Sequence, residues 1–128
     1  IKGSPKKVGV NFYCSNCKSL TSLEGGPKKV GWIFSCEQCK SLTSLKGAPK
    51  EIGGTFYCRY CHSLTSLKGA PNKVGMDFDC SGCKSLTSLE GAPKEISGSF
   101  YRRNCISLKS IDLPATTKIF RKFGIRHK

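Results

Sequence analysis

Apolar residues return along this chain in one pattern every 22 residues. Val8, Val30, Ile52, Val74 and Ile96 share a column, as do Phe12, Phe34, Phe56, Phe78 and Phe100, and Cys17, Cys39, Cys61, Cys83 and Cys105. Leu20, Leu42, Leu64, Leu86 and Leu108 follow, and three residues later come Leu23, Leu45, Leu67, Leu89 and Ile111. Pro5, Pro27, Pro49, Pro71 and Pro93 keep a column of their own. Each unit reads G-x-P-x-x-V-G-x-x-F-x-C-x-x-C-x-S-L-T-S-L-x. A unit with about six apolar positions buries no core by itself, so the repeat predicts units stacked one on the next.

Within a unit, Phe12 and Cys14 flank Tyr13 at period two, the pattern of a short strand with one buried face. No stretch sustains a helical period, so the unit reads as one strand plus turns. Pro5 and Gly9 punctuate the return stretch, and Ser19, Thr21 and Ser22 offer hydroxyls to backbone groups at the bend. The expected fold is a β-solenoid of five 22-residue units with short parallel strands about 4.8 Å apart. Residues 1–114 hold the five units, starting mid-unit because Ile1 and Lys2 align with Leu23 and Glu24, which leaves the first coil exposed unless more chain precedes it. Residues 115–128 leave the repeat. Ile119, Phe120 and Phe123 stand there at helix-like spacing and predict a cap on the last coil, with Lys118, Arg121, Lys122, Arg126, His127 and Lys128 on its wet side. A basic tail is the alternative. Arg102 replaces the strand cysteine of the fifth unit, which marks that coil as one adapted to an end.

The phrase F-x-C-x-x-C-x-x-L-x-x-L, from Phe12 through Cys14, Cys17 and Leu20 to Leu23, resembles the leucine-rich repeat core, with Cys17 at its Asn/Cys position. Ser107 to Pro114, S-L-K-S-I-D-L-P, is similar to the unit ending of one bacterial class of that family. The S-L-T-S-L-x-G-x-P-K wording is similar to repeat proteins of bacteria and tailed phages. The resemblance covers residues 1 to about 114. It implies a curved solenoid whose concave strand face binds other proteins, and it names no partner.

Charge adds a second theme, since 22 Lys and Arg against 8 Asp and Glu leave a net of +14. Two histidines and eight carboxylates supply few general acids or bases, so an enzyme is not expected. No apolar run reaches the roughly 18 residues of a membrane span. The lysines concentrate in turn columns: Lys6, Lys7, Lys28, Lys29, Lys50, Lys73 and Lys94 beside the prolines, and Lys18, Lys40 and Lys84 after the second cysteine. Stacked, they form basic stripes that serve solubility and block edge association. The alternative is a polyanion or nucleic acid held on those stripes.

Nine cysteines raise the question of metal. Cys14, Cys17, Cys36 and Cys39 match a zinc-ribbon spacing, and neighbouring coils offer four sulfurs to one ion. The repeat, however, already demands small apolar residues in both columns, a role reduced cysteine fills. Structural core is therefore the expectation, with a zinc-stabilised scaffold as the third functional reading and with no metal or other cofactor assigned. Cys58, Cys61 and His62 spell a haem-attachment motif, but His62 stands in the Lys18, Lys40 and Lys84 column and reads as a Lys-to-His variation. Reduced, inward cysteines point to a cytosolic setting, in a host or infected cell.

Columns that differ between units map a candidate surface, on the premise that they are free of the stack. The differing positions are the outward strand residues: Asn11, Ile33, Thr55 and Asp77; Tyr13, Tyr57, Asp79 and Tyr101; Ser15, Glu37, Arg59 and Arg103; and Tyr60 beside them. Four tyrosines and two arginines there have the composition of a protein-recognition surface. The expected function is a non-enzymatic module that binds a protein partner through these residues.

Overall fold

A computed structural model describes residues 3–120. Each coil contributes two strands of two residues. The first set is β1 (Lys7–Val8), β3 (Lys29–Val30), β5 (Glu51–Ile52), β7 (Lys73–Val74) and β9 (Glu95–Ile96). The second is β2 (Phe12–Tyr13), β4 (Phe34–Ser35), β6 (Phe56–Tyr57), β8 (Phe78–Asp79) and β10 (Phe100–Tyr101). A last strand, β11 (Lys118–Ile119), follows the repeats. Odd-numbered strands form one parallel sheet in chain order and even-numbered strands another, so the chain is a parallel β-solenoid of five coils. The described residues contain no helix, and none long and apolar enough to cross a membrane.

The repeat pattern anticipates one strand per unit, and the structure has two. The odd-numbered strands escape a periodicity reading because a single inward Val or Ile stands between an outward charged residue and, in most units, a glycine. Two residues are too few for an alternation to show. Pairing instead comes from register. Val8 faces Val30 and Phe12 faces Phe34, and the later pairs among the five coils keep the same 22-residue offset, while β11 joins β9 at an offset of 23.

Identical offsets place like side chains on like. The five phenylalanines stack with ring centroids 5.2–5.5 Å apart and planes within 14° of parallel, a geometry that adds about 0.5–1.5 kcal/mol per pair to the burial itself. Around this ladder lie the Val/Ile, cysteine and two leucine columns, buried in the middle coils. Pro27, Pro49, Pro71 and Pro93 are buried as well. At the tightest corner Gly47 has φ +93°, and a Cβ there would stand 2.3 Å from the Glu24 nitrogen. Left-handed backbone and absent side chain are both required, and Gly69 and Gly91 repeat the feature.

The hydroxyls of the S-L-T-S phrase divide their work. Ser44 and Ser66 accept the N–H two residues on, closing local turns at Lys46 and Lys68. Ser41 and Ser63 instead donate to Lys18 and Lys40 carbonyls of the preceding coil.

The ends differ from the middle. In the first coil Val8, Phe12, Cys14 and Leu20 are half-buried and Cys17 is exposed. At the other end β11 pairs with β9, Ile119 opposite Ile96, and Ile96 and Phe100 are fully enclosed. The helix-like spacing of Ile119 and Phe120 therefore gives way to extended chain. A parallel strand satisfies the open backbone groups of β9, which a helix would leave bare. Phe120 is half exposed, while Phe123, Arg121, Lys122, Arg126, His127 and Lys128 lie outside the described residues. Arg102 is half-buried, with Nε and Nη1 enclosed and without a hydrogen-bond partner among the described residues.

Phe56 sits in the middle of the ladder at 0% exposure, where neighbouring coils cannot collapse into a hole. Phe56→Ala is expected to cost about 3–5 kcal/mol in denaturant unfolding, and a loss below about 1 kcal/mol would place the ladder outside the core.

Candidate partner-binding face

Outward residues of the even-numbered sheet are drawn partly into the stack. Asn11 Oδ1 accepts the Ile33 N–H, Thr55 Oγ1 accepts that of Asp77, and Asp77 Oδ1 accepts that of Ser99, each one coil on. Where the chain turns from one sheet to the other, a side-chain acceptor one coil back meets a backbone donor that burial would otherwise penalise. Asn, Thr and Asp thus do one job. Ser15 bonds the Ser35 hydroxyl, and Ser81 Oγ accepts the Arg103 N–H. Ser35, Thr55, Asp79, Ser81 and Ser99 are buried, with Ser35 covered between Tyr13 and Tyr57 in register.

Beside these buried groups the face holds a smaller, denser cluster. Arg59 Nε donates to Glu37 Oε1 at 2.8 Å, and its Nη1 stands 3.8 Å from Asp79 Oδ2. The same guanidinium lies 4.7 Å from the Tyr57 ring centroid. Burial works against the Arg59 charge, yet the hydrogen bond to Glu37 and the carboxylates of Glu37 and Asp79 outweigh it and hold its pKa above the ordinary value. Arg103 repeats the stacking over Tyr101 at 5.2 Å. Tyr13 stands apart at the first coil, 62% exposed, and Ile33 is half-buried. The structure thus gathers Glu37, Tyr57, Arg59, Asp79 and, next to them, Tyr60.

Tyr60 has a feature its sequence column conceals. Asn16, Gln38, Tyr60 and Asn104 all have φ of 58–61°, and Gly82 has φ 75°. The column is a left-handed turn in every coil, comfortable for Asn and Gly and strained for Tyr. The Tyr60 ring lies over Gly82, where a Cβ would come within 2.3 Å of Cδ1. At another corner Gly54 lies against Trp32, where a Cβ would come within 2.4 Å of the Trp32 carbonyl oxygen and 3.1 Å of its ring Cε3. Aromatic residues with a glycine 22 positions later were a readable signal that the search for varied columns passes over.

The cysteine thiols face backbone. Cys39, Cys61, Cys83 and Cys105 each donate to the carbonyl of the first cysteine one coil back, at 3.1–3.2 Å. All nine are free, and no three His, Cys, Asp or Glu among the described residues group to hold a metal ion. Cys58 and Cys61 of the C-x-x-C-H sequence are fully buried, out of reach of a haem edge. Hydrogen bonds to Cys61 and Cys105, then burial, push the Cys36 and Cys80 thiols far up. For Cys58 burial leads and Cys83 follows. These cysteines are neutral and unreactive.

Of the two lysine families, the Lys18, Lys40 and Lys84 column carries its own reporter. The His62 pKa is lowered by partial burial and then by Lys84 and Lys40 on either side. Protonation of His62 therefore favours the unfolded chain, so stability falls as pH drops through the ordinary histidine range and levels off below the lowered value.

Comparison with known protein families, curated protein sequences and solved structures returned no match to this chain.

Two measurements check this geometry. Native alkylation is expected to reach Cys17 first and to spare Cys36, Cys39, Cys58, Cys61, Cys80 and Cys83 until the chain unfolds; early labelling of that buried set would contradict the packing. In an NMR titration His62 is expected to lose its proton below the ordinary value and to move back up in Lys40→Gln and Lys84→Gln chains.

Proposed function

We propose that the chain is a non-enzymatic binding module that recognises a protein partner through the outer face of the even-numbered sheet, centred on Tyr57, Arg59 and Tyr60. Tyr60 carries this reading. A bulky residue in the left-handed region costs about 1–2 kcal/mol, and Asn serves the same turn at positions 16 and 104. The ring is nevertheless placed there and left 43% exposed. Strain held at a surface in this way is a mark of recognition. Beside it Arg59 is held over Tyr57 before any partner arrives, so little side-chain freedom remains to be lost on binding. Tyrosine and arginine supply large, rigid contact area that also bonds polar atoms. The leucine-rich-repeat resemblance supports the same face.

The test uses a partner captured on the immobilised chain at moderate salt, identified, and then titrated against variants. Tyr57→Ala and Tyr60→Asn are each expected to weaken binding by about 1–3 kcal/mol. Tyr60→Asn is expected at the same time to raise unfolding free energy by about 1 kcal/mol as the strain is relieved. A Tyr60→Asn chain that keeps its affinity and loses stability would assign Tyr60 to the fold and end the proposal.

A further inference from the structure

A groove of about 950 Å³ runs along the corner between the leucine turns and the odd-numbered sheet. Its floor is Gly25 and Gly26 in the first turn and the Gly-Ala pair of each later turn, Gly47 and Ala48 and their equivalents, and no aromatic side chain lines it. One wall carries Glu24, Lys46 and Glu90, and the acids there are matched across coils: Lys46 with Glu24 at 3.3 Å, Lys68 with Glu90 at 3.8 Å. The other wall is Lys6, Lys28, Lys50, Asn72 and Lys94. None of these four lysines forms an ion pair with another described residue. Their backbones are locked in line, each N–H bonded to the carbonyl one coil back: Lys28 to Lys6, Lys50 to Lys28, Asn72 to Lys50 and Lys94 to Asn72, at 2.7–3.0 Å. The wall is a ladder of like charges borne on a locked backbone, one per coil, with a gap at Asn72.

We infer that this groove binds a linear phosphate polymer of the inorganic polyphosphate type, at a site separate from the tyrosine face. Unneutralised lysines at coil spacing, about 4.8 Å, repel one another. A polyanion laid along them removes that repulsion and releases its own counterions. Lysine is a point charge on a flexible stem, suited to a ligand read by charge density and not by a fixed fork of acceptors. Consecutive phosphates that share one bridging oxygen lie closer together than the coils, so every lysine meets an oxyanion. In a nucleic acid a sugar separates the phosphates and sets them out of step with the ladder. The bases would also find no aromatic platform, the feature that holds single strands in protein grooves.

Fluorescence anisotropy with fluorescein-labelled linear polyphosphate over a salt series tests this on the whole chain. Replacing Lys28, Lys50 and Lys94 together by Gln is expected to weaken binding about tenfold or more and to flatten the dependence of log K on log salt by about 2. The charge-matched set Lys18→Gln, Lys40→Gln and Lys84→Gln, outside the groove, is expected to change affinity less than about threefold. A gain-of-function pair guards against unfolding. Asn72→Lys completes the groove ladder and is expected to tighten binding about threefold or more, whereas His62→Lys adds the same charge to the other column and is expected not to. Equal effects from the two triple variants, or from the two added lysines, would reduce the interaction to bulk charge and overturn the site. An oligothymidylate of equal phosphate number that binds as tightly would overturn the ligand class.

Discussion

Everything in this molecule hangs on the backbone pairing of one coil with the next at a constant offset of 22 residues. The hydrogen bonds that hold this register, such as Phe12 N–H to the Ile33 carbonyl and Gly31 N–H to the Val8 carbonyl, fall one residue to either side of it and repeat up both sheets. No strand among the described residues exceeds two residues, so no coil has local stability worth naming, and order in one coil exists only because its neighbours present matching groups. The phenylalanine ladder, the buried prolines and the sulfur-to-carbonyl bonds are consequences of that offset. A change of one residue in any turn would turn every inward side chain of the next coil toward water.

Within that frame the columns that vary are not spare. Glu37, Arg59 and Asp79 form one chain of ion pairs across three coils. Lys29 with Glu51 and Lys73 with Glu95 are others. The exposed Lys29–Glu51 and Lys73–Glu95 pairs add little stability individually, about 0.2–1 kcal/mol. Their importance is that they tie each coil to one particular neighbour. The premise that varied columns are free of the stack therefore holds for Tyr13 and fails for Asn11, Thr55, Asp77 and Asp79, whose side chains are bonded within it or lie buried.

The solenoid, its five coils and its core columns were legible because periodicity is a global signal: five copies of Phe at one spacing leave no other way to bury them. The odd-numbered sheet was not legible, since two-residue strands carry no alternation. Nor was the strain at Tyr60, because the residue before Cys61 shows nothing of its dihedral angles until Asn16, Asn104 and Gly82 are seen to share the same turn. The basic stripes were visible as columns, but only the fold separates lysines matched by a glutamate one coil away from the row at Lys6, Lys28, Lys50 and Lys94, which has no ion-pair partner among the described residues. Cysteine as a donor to a carbonyl one coil back depends on an approach that spacing alone does not define.

The near-identity of the core columns carries a hazard for folding. A ladder of equal phenylalanines is almost as content when coil two sits on coil four as when it sits on coil three, so the apolar core alone gives a landscape with several near-degenerate basins. The aromatic-over-glycine contacts break that degeneracy. Trp32 needs Gly54 above it, and Tyr60 needs Gly82. Set over any other coil, Tyr60 meets the side chain of Asn16, Gln38 or Asn104, while the Trp32 column offers a second glycine only at Gly98 of the fifth coil. The two glycines act as address labels: Gly82 fixes the coil that follows Tyr60, and Gly54 narrows the choice above Trp32.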